Sequence, residues 1–400
     1  MKFKQTLLAA AIAALSGAAQ AQVSDGVIKI GVLNDMSSLY ADIAGPGSVV
    51  AAKMAVEDFG AAKKGMKVEI ISADHQNKPD VGAQIANQWF DQDKVDVIVD
   101  VPTSSVALAI SEIARKKGKA FLNSGAATSD LTGKACSPNT IHWTYDTWML
   151  ANGTGSAILK TGGDTWFFIT ADYAFGLALE RDTEAVVLKG GGKVLGKVRA
   201  PLNTQDFSSF LLQAQASKAK IIGLANAGGD TINSIKQASE FGIVKGGQNL
   251  AGMLVFISDV HALGLEKAQG LIFTETFYWD LNDQTRAWTK RFLAESKGTK
   301  YPTMVQAGVY SSVLHYLKAV EAAKTDDGTK VIAQMKAMPT DDPLFGKGSI
   351  RRDGRKLHPA YLVEVKKPSE SKGPYDYYKI RATIPADQAF RPEKDGGCNL

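Results

Sequence analysis

The sequence predicts an α/β protein made of two wound lobes, each a parallel sheet covered by helices, and three observations predict it. Short β-rich apolar runs alternate with longer segments of helical period. The alternation breaks once, between Ser124 and Asp146, in a stretch rich in Gly, Ser, Thr and Asn, and then resumes. The chain has 400 residues, more than one ordinary core holds.

At the start, Lys2 and Lys4 precede an apolar run over residues 7–15 and then Ala19-Gln20-Ala21. This reads as an export signal with an A-x-A cleavage site, so residues 1–21 are expected to be removed and the mature chain to begin at Gln22. The run is too short to span a bilayer, which takes about 20 apolar residues as a helix, and a soluble mature chain is expected. Formal charge is +5, or +3 once the two lysines leave, and no dense Lys/Arg run occurs, which argues against a nucleic-acid partner.

Residues 27–33 read as strand one, followed by Val49, Ala52, Val56 and Phe59 at helical spacing. Residues 67–72 precede a helix carrying Val81, Ile85 and Trp89; residues 97–101 precede one carrying Val106, Ile110 and Ile113; residues 120–123 form a fourth strand. Past the interruption, residues 166–170, 193–199, 220–225 and 254–257 read as the strands of a second sheet. Helices over 284–295 and 303–323 follow, the second with Val305, Val309, Val313, Leu317 and Val320 on one stripe that needs an apolar partner surface. Short runs at 348–351, 361–365 and 377–380 read as antiparallel and peripheral. The expected lobes are 22–145 with 280–347, and 146–279 with 348–400.

The only cysteines are Cys136 and Cys398. In an exported protein a pair most often forms a disulfide, here tying the tail to the loop after Thr132; two independent thiols are the alternative.

In open α/β sheets ligands sit beyond the carboxyl ends of the strands, where helix-start N–H groups point outward. The corresponding loops here are Asp35-Met36-Ser37-Ser38-Leu39-Tyr40, Pro102-Thr103-Ser104-Ser105 and Ser124-Gly125-Ala126-Ala127-Thr128. They offer hydroxyls and free amides, which suit a carboxylate without a fixed cation, and Ser104, Ser105 and Thr128 are the expected donors. Helix capping is the competing account of each hydroxyl. The second lobe brings Asp172-Tyr173-Ala174-Phe175, Asn226-Ala227 and Ser258-Asp259, with Tyr173 able to stack on a ligand or donate across the cleft. Aromatic clusters containing Tyr145 and Phe277 lie where the chain changes lobes, where packing and ligand contact are both open readings.

Catalytic signatures G-x-x-x-x-G-K-[ST], H-E-x-x-H and G-x-S-x-G do not occur, and the five histidines share no metal-ligand spacing. No catalytic residue, metal or cofactor is expected.

These residues resemble the type 1 periplasmic binding proteins, in particular the branched-chain-amino-acid-binding (Leu/Ile/Val-binding-protein-like) family of ABC importers. The match runs over the mature chain and is clearest at Ile-Gly-Val-Leu-Asn-Asp-Met-Ser-Ser-Leu-Tyr, at Gly-Ser-Val-Val-Ala-Ala-Lys-Met-Ala-Val-Glu-Asp-Phe and at the Asp172–Gly176 turn. The resemblance implies two Rossmann-like lobes joined by a three-crossing hinge, and a ligand trapped by closure. It implies that Ser104-Ser105 and Ala126 to Thr128 hold a carboxylate while Tyr173 and the loop after Asn226 act from the other lobe. An acidic residue that would meet a ligand ammonium is not at its usual place; Asp259 stands nearby. Both a hydrophobic amino acid and an aromatic acid therefore remain open. A periplasmic monomer that serves an inner-membrane ABC permease is implied, with a chemoreceptor or kinase sensing module and a secreted enzyme as alternatives.

Overall fold

The computed structural model describes residues 23–400, so the expected export signal lies outside the described residues. The chain begins with β1 (Ile28–Asn34), α1 (Gly45–Phe59), β2 (Val68–Asp74), α2 (Pro79–Asp91), β3 (Val97–Asp100), α3 (Ser104–Lys117), β4 (Ala120–Asn123) and β5 (Thr140–His142). These strands form one parallel sheet, ordered β2-β1-β3-β4-β5. Its faces sort by alternation. Val97, Val99, Ala120 and Leu122 join the core under α1, whereas Ile98 and Phe121 join the core under α2 and α3.

Next come α4 (Thr147–Leu150), α5 (Ser156–Lys160), β6 (Thr165–Ala171), α6 (Ala174–Lys189), β7 (Lys193–Ala200), α7 (Ser208–Ala216), β8 (Ile221–Ala225), α8 (Gly229–Glu240), β9 (Asn249–Gly252), α9 (Ile257–Leu263), α10 (Leu265–Ala268) and β10 (Ile272–Glu275). The second sheet is parallel in the order β7-β6-β8-β9. Its last strand corrects the expectation: the ladder runs through residues 249–252, not 254–257. Leu254, Val255 and Phe256 are buried because they fill the gap between the lobes and the core beneath it, and burial by tertiary packing looks like burial in a sheet when only the sequence is read.

The chain then returns through α11 (Asp283–Ser296), α12 (Met304–Ala323), α13 (Gly328–Ala337), β11 (Thr340–Asp342), β12 (Gly346–Ile350) and β13 (Lys356–Leu357), and ends with β14 (Ala360–Val365), β15 (Tyr378–Ile384) and α14 (Ala386–Ala389). Helix α12 does more than present one stripe. It is buried almost all round, because α1 packs one side and α13 with β11 the other. Strands β14 and β15 pair antiparallel with β10, as expected of the tail. The division expected at residue 348 falls inside β12, which pairs with β11 and β13 and lies against α13.

Three passages join the halves: residues 143–146, 276–282 and 358–359. The first and third are pinned together by charge. Arg355, fully buried, donates to the Thr144 carbonyl (2.5 Å) and to Asp146 (3.3 Å), and its guanidinium lies 4.3 Å from the Phe390 ring centre. His358 reaches the Trp143 and Thr144 carbonyls from the third passage.

Beside Arg355, Lys356 is also buried, and its Nζ meets the rings of Trp143 and Phe345 with no hydrogen-bond partner among the described residues. Burial depresses its pKa to about 8. Because a depressed base binds fewer protons folded than unfolded, stability should rise as pH climbs from about 8 to about 10.4. Lys356→Met removes the buried charge. Thermal melts at pH 7 and 10 should show the variant's Tm above wild type at pH 7 and the gap narrowing at pH 10.

The expected disulfide is present. Cys136 and Cys398 are bonded with their Cα atoms 5.6 Å apart, across a sequence separation of 262. Arg391, seven residues before Cys398, donates to the Ser129 carbonyl and so lays the tail along the same loop.

Candidate functional site

Loops at the carboxyl ends of the two parallel sheets face one another. From the first sheet come Tyr40 and Ile43 after β1, Pro102 after β3, and Gly125 and Ala127 after β4. From the facing side come Tyr173 and Phe175 after β6, Ala227 after β8, and Leu254 and Phe256 after β9. Tyr145, on the first passage, closes the back. The cavity between them measures about 10 Å³, room for about one water.

What holds the halves this close is local. Asp35 accepts from the N–H groups of Ser38 and Tyr40, from the Ser38 hydroxyl and from the Asn77 amide, folding the loop after β1 around its own carboxylate. Burial alone would raise its pKa, but these donors outweigh burial and hold it below the usual range. The loop so shaped aims Tyr40 across the cleft, where its hydroxyl meets that of Tyr173 at 2.6 Å. Leu39 lies against Gly228, where a Cβ would come within 2.8 Å of the Leu39 carbonyl oxygen; Gly228 also sits at φ +58°, a region that favours glycine.

The loop after β3 is strained. Asp100 and Val101 have φ of +82° and +58°, and a β-branched residue there costs about 1–3 kcal/mol. The turn lets the Asp100 carbonyl accept from the N–H groups of Ser124 and Gly125, which ties the loops after β3 and β4 together.

Helices α1, α3, α6 and α8 all begin at this cleft, and none has a side chain capping its first turn. Elsewhere α11, α12 and α13 are capped by Asn282, Thr303 and Asp327, whereas α2 and α7, which line no part of the cleft, also lack a side-chain cap. Capping therefore does not account for Thr103, whose hydroxyl donates to Asn77 instead. Uncapped first-turn N–H groups with the positive end of a helix dipole are suited to an anion.

Among the described residues no charged side chain lines the cavity; the polar side-chain groups there are the hydroxyls of Tyr40, Tyr145 and Tyr173. Burial pushes all three phenols up, so they are neutral O–H groups. Tyr145 donates to the Gly125 carbonyl and lies edge-on to Phe256 with centroids 5.8 Å apart.

Of the residues expected from sequence, the structure brings together Tyr40, Ala127, Tyr145, Tyr173, Phe175 and Ala227. Ser104 and Thr128 sit just behind them, the Ser104 hydroxyl accepting from the Thr128 N–H, and Thr128 in turn capping the short turn over residues 129–132. Ser105 is half-buried in the first turn of α3, and Ala126 closes a tight turn onto Asn123. Four expected residues are engaged elsewhere. Ser38 is exposed and bonded to Asp35; Asn226 is tied to Thr231 and Ser234 inside α8; Asp259 accepts from the Phe256 N–H at the start of α9; Phe277 packs edge-on against Trp288. Leu254 and Phe256 were missed because they were read as strand.

Residues 27–373 match the family model described as periplasmic binding protein. A periplasmic binding protein from Burkholderia mallei is 54% identical, with a TM-score of 0.91 over 94% of this chain and 99% of its own. A branched chain amino acid ABC transporter periplasmic ligand-binding protein from Burkholderia xenovorans is 42% identical, with a TM-score of 0.82 over 93% of this chain and 99% of its own. A solute binding protein of an ABC transporter from R. palustris, solved in complex with benzoate, shares the fold at 22% identity, with a TM-score of 0.80 over 94% of this chain and 100% of its own. The chain belongs to the periplasmic binding protein family, as a solute-binding protein of the ABC-transporter type.

Proposed function

We propose that this chain is exported to the periplasm, captures a small carboxylate by closing its two lobes about the three passages, and delivers it as a monomer to an inner-membrane ABC permease. The observation that carries the reading is the convergence of uncapped helix starts from both lobes on one apolar cleft. Such a site binds an anion through fixed N–H groups and offers no nucleophile or acid–base pair among its lining residues, which favours binding over catalysis. Ser104, Ser105 and Thr128 hold the carboxylate from one lobe and Tyr173 closes over the ligand from the other. A sensing module would share this fold, and the ABC-transporter relatives favour transport.

Rings and aliphatic side chains dominate the lining, which favours an aromatic carboxylate; the benzoate-bound neighbour offers a precedent. A second reading, a hydrophobic amino acid, has one specific support. Asp230, at the start of α8 and close enough to act electrostatically on Tyr40 and Tyr173, leaves its Oδ1 without a partner and could meet an ammonium. Thermal melts with benzoate, 4-hydroxybenzoate, phenylpyruvate and L-leucine test both, since a ligand that binds only the native state raises Tm. Benzoates should shift Tm most; a shift with L-leucine alone would favour the second reading, and none with any of the four would contradict the site.

A further inference from the structure

The floor of the cleft hides a carboxyl group that ligand capture as described does not use. Asp100 ends β3, is fully buried, and lies behind the lining residues Gly125 and Pro102: a Cβ on Gly125 would come within 2.8 Å of Asp100 Oδ1. Its Oδ2 accepts from Asn34 Nδ2 at 2.9 Å. Asp100 Oδ1, Asn34 Oδ1 and the neighbouring Ser48 Oγ all lack a hydrogen-bond partner among the described residues, so one hydroxyl donor faces two bare acceptors. The Ser48 hydroxyl can serve one acceptor, and a proton on Asp100 supplies the donor the bonded acid–amide pair still lacks. With Asp100 protonated, one oxygen becomes a donor while the other keeps the Asn34 N–H.

The surroundings oppose the charged form. Asn34 on β1, Ser48 on α1, Ser124 and Gly125 after β4, and Tyr145 on the first passage are its neighbours. Of these only the Tyr145 phenol titrates; burial first, then the Asp100 charge, holds it in the neutral form. Among the described residues no lysine, arginine or histidine is close enough to act on Asp100. Burial raises its pKa to about 6, against the pull of the Ser48 hydroxyl and the Asn34 amide. An anion held by the loops after β3 and β4 adds a second negative charge beside a buried carboxylate, which again favours the neutral acid.

We propose that Asp100 takes up a proton as the ligand anion docks, so that the cleft binds its carboxylate more tightly as pH falls. This rests on reading the cleft as the carboxylate site. One O–H bond forms on Asp100 with a proton taken from solvent, and that bond breaks and the proton returns to solvent on release.

Calorimetric titrations of the mature protein with benzoate, 4-hydroxybenzoate and L-leucine from pH 5.5 to 8 test it. Affinity of a ligand that binds should rise about tenfold between pH 7.5 and 5.5, the size linkage gives when a group titrating near 6 is driven upward by the ligand. Asp100→Asn should flatten the profile and bind at pH 7.5 about as tightly as wild type does at pH 5.5. Should the variant fold poorly, the carbon-13 resonance of the Asp100 carboxyl in wild type reads the same claim, its midpoint moving up on ligand addition. A flat wild-type profile, a slope kept by Asp100→Asn, or a midpoint unmoved by ligand would each overturn the proton uptake while leaving the cleft reading intact. Absence of binding by all three probes at every pH would overturn the cleft reading and this inference with it.

Discussion

Arg355→Ala should lower the unfolding free energy by about 3–5 kcal/mol, because it breaks a buried ion pair by removing one partner. The guanidinium serves three acceptors at once: the Thr144 and Lys356 carbonyls and the Asp146 carboxylate. After its removal Asp146 is left buried with one remaining donor, the Met149 N–H, and its pKa, already raised by burial against the pull of Arg355, climbs further. Urea unfolding at pH 7 measures the loss. A double variant, Arg355→Met with Asp146→Leu, should recover much of it, since exchanging both partners for apolar groups leaves no orphan charge. Equal losses in the single and double variants would mean that Arg355 acts through packing alone.

Gly228→Val should weaken ligand binding by about tenfold to a hundredfold while leaving the protein folded. The new Cβ would meet the Leu39 carbonyl oxygen at 2.8 Å across the lobes; the φ of +58° disfavours a branched residue in open and closed forms alike and so lowers the melt rather than the affinity. Overpacking of this kind costs about 1–3 kcal/mol in a core that cannot yield. Here the clash lies between two lobes, which relieve it by staying apart. The penalty then falls on the closed form, and apparent affinity drops by the fraction of closed form lost. Calorimetry with the best ligand of the panel, beside a melt without ligand, separates the two effects. Affinity equal to wild type would show that the lobes need not approach this closely.

Much of this architecture was legible in the sequence, for a physical reason. A strand buried on both faces and a helix buried on one leave different apolar periods, and β1, β3, β4, β6 and β8 kept theirs. Loops after those strands were legible too, and Tyr40, Tyr173 and Ala227, read from them, line the cleft. What failed did so where burial has more than one cause. Leu254, Val255 and Phe256 are as apolar as a strand, but Leu254 and Phe256 wall the cleft and Val255 fills the core beneath it; Phe277 sits in an aromatic run aimed at the core under α11. Asn226 and Asp259 looked like ligand donors because both follow a strand, and each is consumed by its own helix. Arg355 carried no local signal. Its partners on the first passage, Thr144 and Asp146, lie more than 200 residues away, and an arginine followed by a lysine reads as surface.

Small-angle scattering of the mature protein with and without a saturating ligand from the panel tests the central claim most directly. The account predicts a smaller radius of gyration on ligand addition, with Gly228→Val staying at the larger value. A curve unchanged by a ligand that calorimetry shows to be bound would contradict capture by closure of the two lobes.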